Sequence, residues 1–409
     1  MMLGKLKPLA LLTVALTASL STTTFASATN KEILIAPACL LKNASGDFKI
    51  LAKLTNFVLL ETNKIGLTKL MKAKTKQKEP CGGFINVTDD YETLTAKKSV
   101  STSETKAFLA SFTQPAQAAK RSSYDIKYEK QVNQLLKTIN PEDMWGDLTT
   151  LTNFKDRYAN SDNGVKAANW LKTQIEAIAA ANHRDDVSTY FIDTGKRYKQ
   201  PSLVVKFGNA TGAGIVVGGH MDTLDSNYSK KPGADDDGSG TVTVLETARV
   251  LLSSGMHFNK PIYFVWYAAE EEGLVGSGYV VKDFKAKKIP VDAVMHMDMT
   301  GYAYENDPTM WLMTDYVDPG LTNYFETLIQ TYVKRPVGRS SCGYACSDHA
   351  TWTKNGYPAA IAFEASFDNM NPYIHTTNDT MGNLSLTHMA DYAKLGVAFV
   401  TELAEPMAG

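Results

Sequence analysis

From residue 122 onward, short β-branched runs alternate with longer stretches whose apolar residues recur at helical spacing. Five apolar runs predict strands, at residues 203–207, 214–217, 262–267, 293–297 and 359–363. Three helical patterns occur at 165–181, 241–252 and 321–333. Alternation of this kind is typical of an α/β domain. We therefore expect a single globular domain with a central mixed, mostly parallel sheet that helices cover on both faces.

The first 121 residues have a different pattern. Residues 1–28 place two lysines before an apolar run and end in Ala-Ser-Ala, which predicts a secretory signal peptide. Residues 29–121 are rich in Lys, Thr and Ala, have weak periodicity, and end in the basic pair Lys120-Arg121. We interpret them as a prosegment that is removed at this exposed pair, leaving 122–409 as the catalytic domain. A small permanent N-terminal domain is the alternative.

Charge is distributed unevenly along the chain. Residues 29–121 contain 15 Lys and Arg against 8 Asp and Glu (15 − 8 = +7), whereas residues 122–409 contain 25 against 35 (25 − 35 = −10). A basic prosegment and an acidic body would attract each other, although a merely soluble basic linker has the same composition. The formal net charge of −1 argues against a nucleic-acid surface. No second apolar run reaches the ~18 residues of a membrane span. We expect a monomer secreted through the periplasm without a membrane anchor.

Four cysteines form an even set in a chain that we expect in an oxidising compartment. Cys342 and Cys346 are four residues apart, which brings two α-carbons to roughly 6 Å in a helical turn or tight loop, inside the disulfide range. Cys39 would then pair with Cys81. A zinc-thiolate site is the alternative, but no CxxC spacing supports it.

Polar residues with metal-binding chemistry follow the predicted strands. His220, Glu270, Glu271 and Asp298 each come at the end of an apolar run, where the loops of a parallel sheet build a site. The motifs HExxH, GxSxG and GxGxxG and the P-loop are absent. Asp235 could start an EF-hand calcium loop, but Pro232-Gly233 breaks the helix that such a loop requires. Two histidines among several carboxylates favour zinc.

Six blocks resemble those of a known family: GGHMDT, PGADDDGSG, YAAEEEG, MHMDMT, CGYACSDHA and NPYIHTTNDT. In this order, over residues 124–404, they are similar to the secreted bacterial leucyl aminopeptidases, dizinc exopeptidases of metallopeptidase family 28. The resemblance implies two Zn²⁺ ions per chain, held by His220 and Asp298, by Glu271 and His375, and by a bridging Asp236. It also implies a cis peptide bond between Asp236 and Asp237.

The same resemblance implies catalytic roles. Glu270 matches the general base, Asp222 the carboxylate that orients the ring of His220, and Tyr344 the donor to the oxyanion. Glu272 departs from the apolar residue that the family has there. The residues that match the pocket for the first side chain are Met299, Met313, Ile361, Phe363, Phe367, Met370 and Ile374, together with Cys342 and Cys346. Met370 stands where an aromatic residue is more usual.

The predicted function is a secreted zinc aminopeptidase that removes a bulky apolar residue, preferably Leu, from peptides with a free N-terminus. Its prosegment would act as an intramolecular inhibitor or chaperone. One alternative is a glutaminyl cyclase, which has the same fold and uses one zinc. Another is a non-enzymatic relative such as the peptidase-like domain of transferrin receptors, which would have lost ligands.

Overall fold

A computed structural model describes residues 31–44, 46, 48–74, 81–96, 99–113, 124–225 and 229–407. The predicted signal peptide and the basic pair Lys120-Arg121 lie outside these residues. Within them, no helix is both long and apolar enough to cross a membrane.

Residues 31–113, which we call the N-terminal domain, form a small α/β fold whose strands and helices the weak periodicity of this region did not predict. The antiparallel sheet contains β1 (Lys31–Pro37), β2 (Lys49–Lys53), β3 (Phe57–Asn63) and β4 (Ile85–Asn86), in the order β2-β3-β1-β4. The helices are α1 (Leu40–Asn43), α2 (Lys64–Lys74), α3 (Thr88–Thr95) and α4 (Thr102–Thr113). Leu34 packs on the α2 side and Ile35 on the α4 side, so both faces of β1 are buried.

The part of the chain that we expect to be the catalytic domain, described over residues 124–225 and 229–407, is built on an eight-stranded sheet. Its strands are β5 (Val187–Ile192), β6 (Ser202–Phe207), β7 (Gly214–His220), β8 (Ile262–Tyr267), β9 (Val291–Met297), β10 (Met310–Met313), β11 (Val337–Ser340) and β12 (Ala359–Phe363). Their order is β11-β10-β12-β9-β7-β8-β6-β5. The central pairs β12/β9, β9/β7 and β7/β8 are parallel, whereas β8/β6 and β6/β5 are antiparallel. The mixed sheet that the sequence predicted is confirmed.

Helices cover both faces of this sheet. They are α5 (Glu129–Leu135), α6 (Pro141–Asn153), α7 (Asp162–Ala181), α8 (Gly240–Ser253), α9 (Val275–Ala286), α10 (Pro319–Leu328), α11 (His349–Lys354) and α12 (Leu386–Ala404). The neighbouring residues Val216 and Val217 of β7 are both fully buried, in opposite layers of the core. This is why the central strands read as unbroken apolar runs rather than alternating ones.

The front of the catalytic domain is anchored to its last helix. The backbone N–H groups of Lys127 and Tyr128 donate to the Glu402 carboxylate of α12, at 2.7 and 3.1 Å. The hydroxyl of Tyr332 donates to the same carboxylate. The Tyr124 ring stacks on that of Tyr324, with 5.1 Å between centroids. The chain is therefore fixed within the first residues described after the 114–123 gap.

Both predicted disulfides are present. The α-carbons of Cys39 and Cys81 are 6.0 Å apart, and those of Cys342 and Cys346 are 6.1 Å apart. The first pair joins the end of β1 to the segment before β4, and the second closes a short loop before α11.

Candidate active site

The predicted ligands meet at one edge of the sheet. His220 is the last residue of β7, Glu270 and Glu271 lie in the turn after β8, and Asp298 directly follows β9. These three strands are parallel neighbours, so their carboxyl ends lie side by side. Asp236 precedes α8 and His375 lies in the loop after β12. The placement that the sequence predicted for this cluster is confirmed.

The five residues form two groups that share Asp236. In the first, the Nε2 atom of His220 lies 3.1 Å from Asp236 Oδ1 and 3.7 Å from Asp298 Oδ1. In the second, the Nε2 atom of His375 lies 2.9 Å from Asp236 Oδ2 and 3.0 Å from Glu271 Oε2. Within each group the potential ligand atoms lie within 4.8 Å of one another. One oxygen of Asp236 thus faces each group, which is the arrangement of a bridging carboxylate.

The chemistry of these groups fits zinc. Zinc accepts imidazole nitrogen and carboxylate oxygen together, whereas calcium and magnesium sites are usually built from oxygen alone. In the described part of the chain, Asp298 Oδ1 is buried and accepts no hydrogen bond, as expected of an atom reserved for a cation. Burial alone would raise the pKa of Asp236, but His375 and His220 hold it well below its usual range. The shared carboxylate is therefore ionised and able to bind metal.

Asp222 forms hydrogen bonds that hold the glutamate turn in position. One of its carboxylate oxygens accepts the backbone N–H of Glu270 at 3.0 Å, and the other accepts that of Glu271 at 3.2 Å. The first oxygen also lies 3.4 Å from Nδ1 of His220. Asp222 is fully buried. It therefore contacts the His220 ring, as the family resemblance implies, and it also fixes the glutamate turn, which the sequence did not reveal.

The three consecutive aspartates have different surroundings. Only Asp236 faces the histidines. Asp235 accepts N–H groups from Gly301 and the Asn371 side chain, and Asp237 accepts those of Gly240 and Met299. The peptide bond between Asp236 and Asp237 is cis, as predicted. Residues 229–233 contain no helix leading into Asp235, so this segment is not an EF-hand.

Two residues that position the shared carboxylate were not predicted. Asp379 accepts the backbone N–H groups of Asp235 and Asp236, at 3.0 and 3.1 Å. Arg157, fully buried, donates to the carbonyls of Met221, Pro232 and Gly233 at 2.6 to 2.8 Å. Asp379 lies four residues after His375 in the block NPYIHTTNDT, so the sequence could have indicated it as a site residue. No motif in the sequence indicated Arg157.

The acidic run after β8 is buried rather than solvated. Glu270 is 6% exposed, Glu271 5% and Glu272 1%. The hydroxyl of Tyr198 lies 3.4 Å from Glu272 Oε2. Burial, with Asp222 nearby, raises the pKa of Glu272 to about 8. Glu272 is therefore largely protonated and neutral at pH 7, and in this form it occupies a buried position where the family has an apolar residue.

The predicted pocket residues pack in one apolar cluster. It contains Met299, Met313, Ile361, Phe363, Phe367, Met370, Ile374, Cys342 and Cys346, together with Val317 and Tyr344. Met299 follows Asp298 immediately, which places the cluster beside the first group of ligands. Val317 was not predicted. Methionine and phenylalanine surfaces of this kind accept apolar side chains of varied shape.

Tyr344 lies on the loop that the second disulfide closes. The Asp315 carboxylate accepts the N–H groups of Cys342 and Gly343, at 3.0 and 2.7 Å, and so fixes the start of this loop. The Tyr344 ring packs edge-on against Phe367 of the apolar cluster, with 6.1 Å between centroids. Tyr344 is therefore held at the border of the cluster.

The N-terminal domain packs over this region. Asn86 donates its backbone N–H to the carbonyl of Gly273, at 2.9 Å, in the turn that carries the glutamates. Gly82 lies so close to the Tyr344 ring that an added Cβ would come within 2.8 Å of it. Leu224, which follows the His220 loop, packs against the α2 side of the N-terminal domain. Segments on two sides of the metal-ligand groups are thus in contact with it.

Among the described residues, two acids of α3 contact bases of the catalytic domain, which is a polarity opposite to the net charges. Asp89 of the N-terminal domain accepts from the Arg197 guanidinium and the Tyr279 hydroxyl. Asp90 lies 3.1 Å from the Lys282 ammonium. The acids therefore belong to the basic N-terminal domain and the bases to the acidic catalytic domain. The attraction expected from net charge is not what these contacts provide.

Comparisons with known proteins agree with the site. Residues 202–400 match the sequence profile of Peptidase family M28. Leucine aminopeptidase 1 of Emericella nidulans is 37% identical over 289 residues, which are 68% of this chain and 74% of that protein. The LapA aminopeptidase of Legionella pneumophila is 44% identical, with a TM-score of 0.84 over 92% of this chain and 99% of that one. LapB from the same organism is 40% identical, with a TM-score of 0.82 over 92% and 100%.

Proposed function

The chain belongs to peptidase family M28 and is a metallo-aminopeptidase, and from this premise we propose that it is a secreted dizinc enzyme that removes N-terminal leucine or another bulky apolar residue from peptides. The observation that carries the proposal is the pair of three-residue groups that share Asp236, beside an apolar cluster. His220, Asp236 and Asp298 would hold one ion, and Asp236, Glu271 and His375 the other.

Glu270 is the residue that we assign as the general base. When bound, the zinc ions supply Lewis acidity, which lowers the pKa of the attacking water and polarises the scissile carbonyl. Glu270 takes the proton from this water and returns it to the departing amine. Its backbone N–H bond to Asp222 fixes the start of the glutamate turn, so the base and the ligand Glu271 keep a constant relation.

Tyr344 and the apolar cluster complete the assignment. The Tyr344 hydroxyl donates to the oxygen that becomes negative as the carbonyl is attacked. The cluster from Met299 to Ile374 receives the first side chain of the substrate. Burying a charged side chain against these apolar residues costs free energy, which disfavours Lys, Arg, Asp and Glu there. With zinc held by the two ligand groups that share Asp236, the free α-amine of the substrate would be bound beside them, and the enzyme would act as an exopeptidase.

The N-terminal domain is proposed to inhibit the enzyme until it is removed. Support comes from its contacts with Gly273, Tyr344 and Leu224, which surround the approach to the metal-ligand groups. Secretion is proposed from the signal-like residues 1–28, processing from the Lys120-Arg121 pair, and a monomeric state as the simplest assembly. Full-length and processed protein would then hydrolyse leucine p-nitroanilide at different rates, and equal rates would contradict inhibition.

The decisive experiment compares leucine p-nitroanilide with N-acetyl-leucine p-nitroanilide on processed protein, with zinc measured on the same sample. We expect hydrolysis of the free amine only, loss of turnover with chelator, and about two zinc ions per chain. Glu270→Gln should keep the zinc and lower turnover by ~10²–10⁴. Retained turnover would exclude Glu270 as the base.

The glutaminyl cyclase alternative predicts a different substrate. Processed, zinc-loaded protein that left leucine p-nitroanilide intact but cyclised N-terminal glutamine would replace the present proposal. The large apolar cluster argues for the aminopeptidase, because a glutamine side chain would leave its amide without partners there.

A further inference from the structure

A second apolar surface of the catalytic domain lies beneath β4. We call it the β4 patch and define it as Leu274, Tyr316, Ala345 and Ala350. Ile85 of β4 packs on it. Leu274 is 6% exposed, Ala345 7% and Ala350 3%. An apolar surface of the catalytic domain is thus covered by one extended segment of the N-terminal domain.

The contact with this segment includes a main-chain hydrogen bond. On one edge of β4, Val87 donates its N–H to Ile33 of β1 at 2.8 Å, and on the other edge Asn86 donates to the Gly273 carbonyl at 2.9 Å. The catalytic domain therefore receives an extended chain through a backbone acceptor, with an apolar side chain beside it. Extended peptides are commonly bound in this way, with main-chain bonds for affinity and side-chain pockets for specificity.

The patch is joined through the main chain to the turn that carries the proposed base. The N–H groups of Gly273 and Leu274 both donate to the Glu270 carbonyl, at 2.8 and 2.9 Å, so the turn folds back on the proposed base. Glu270 delivers a proton to the nitrogen of the second substrate residue. That residue must therefore begin near this turn. Ala345, which follows the proposed oxyanion donor Tyr344, approaches the patch from the other side.

We propose that the β4 patch and the Gly273 carbonyl bind the part of the peptide that follows the scissile bond, and that they favour an apolar second residue. This inference rests on the aminopeptidase function proposed above. The N-terminal domain would then block the place of the departing peptide by occupying it with Ile85 and Asn86.

The patch has room for a side chain larger than isoleucine. A cavity of about 310 Å³ remains between the two domains even with β4 in place. Leu274, Tyr316, Ala345 and Ala350 form its apolar wall, with Phe108 and Phe112 of α4, and polar and charged side chains that include Lys282 and Lys354 form the rest. Ile85 does not fill this space. A phenylalanine as second residue would therefore gain more apolar contact than a glycine.

The test uses full chain that has folded with its N-terminal domain and is then cut within residues 114–123. Disappearance of the tripeptides Leu-Phe-Gly and Leu-Gly-Gly gives two values of kcat/KM, whose ratio reports the second residue alone. We expect a ratio of about 10, which corresponds to ~1.4 kcal/mol. Leu274→Asn, which suits the left-handed backbone at this position (φ 62°), and Ala350→Asp should each bring the ratio close to 1.

A matched control places the same charge elsewhere. Ala177→Asp, on the exposed face of α7, should leave the ratio unchanged. A wild-type ratio near 1, or a ratio that neither patch variant alters, would overturn the inference while leaving the aminopeptidase function intact. If neither tripeptide lost its leucine, the proposed function would fail and this inference with it.

Discussion

Replacing Asp222 by asparagine tests how far the metal centre depends on its support. The carboxylate accepts two backbone N–H groups in the glutamate turn and contacts the His220 ring. Asparagine has the same shape, but its NH₂ group must face one of these donors. One hydrogen bond to a charged acceptor, typically about 1.5–3 kcal/mol, is lost, and a buried donor that costs about 1–3 kcal/mol remains. We expect a loss of about 3 kcal/mol in the free energy of unfolding.

Metal affinity should fall as well. Removal of such supporting carboxylates typically weakens metal binding by about 10–100-fold, or roughly 1.4–2.7 kcal/mol. Urea unfolding of the metal-free protein measures the first effect, and competition with a chelator measures the second. Asp292→Asn, which breaks a surface pair with Lys260 at 2.9 Å, is the matched control and should change stability by no more than about 1 kcal/mol.

The two measurements separate two roles of Asp222. Reduced stability with unchanged metal affinity would mean that Asp222 only braces the turn. Unchanged values of both would refute the reasoning, because a fully buried donor facing an N–H group cannot be without cost.

Three further predictions follow from other contacts. Asp89→Ala removes the acceptor of Arg197 and Tyr279 at a half-exposed interface. We expect the N-terminal domain to dock about 1 kcal/mol more weakly and the uncleaved chain to hydrolyse leucine p-nitroanilide roughly fivefold faster. Glu92→Ala on the same helix is the control, and equal rates for Asp89→Ala and the unchanged protein would contradict a role of this interface in inhibition. Burial lowers the pKa of His349 to about 3. Between pH 6.5 and 3 the unfolded chain therefore binds a proton at His349 that the folded chain does not, so the free energy of unfolding decreases as pH falls. His349→Phe should reduce the dependence of this free energy on pH by up to about 1.4 kcal/mol per pH unit. An unchanged dependence would show that His349 is not neutral in the folded protein. The double variant Cys342→Ser/Cys346→Ser should lose about 2 kcal/mol of stability and lower kcat through Tyr344; a loss of stability alone would exclude a role for this loop in catalysis.

His220, Glu271 and Asp298 could be placed together from the sequence because they follow buried strands, whereas Asp236 and His375 were assigned through the family resemblance. His220 and Asp298 end apolar runs that read clearly, and parallel strands bring their carboxyl ends together whatever the helices do. The strands and helices of the N-terminal domain were not predicted because they are short and β1 is buried on both faces, which removes the two-residue alternation.

Supporting residues and the interface were harder to predict for a different reason. Arg157 acts through carbonyl groups 64 to 76 residues away, and no spacing in the sequence encodes such a bond. The polarity of the interface depends on Asp89, Asp90 and the bases they meet, whereas net charge sums residues that never touch. The hydrophobic pattern and the composition of the sequence predict the layers of helices and strands and the ends of the strands. They do not specify which loop residues become neighbours in the folded protein.

The bond between Glu402 and the front of the catalytic domain has a consequence for maturation. Lys127, Tyr128 and the Tyr124 ring are held by α12 and α10, so the fold begins at a defined point behind residue 123. A cut anywhere between residues 114 and 123 should leave the same anchored structure. Proteases with different preferences should then yield mature enzymes that differ in length at the N-terminus but have the same activity and thermal stability.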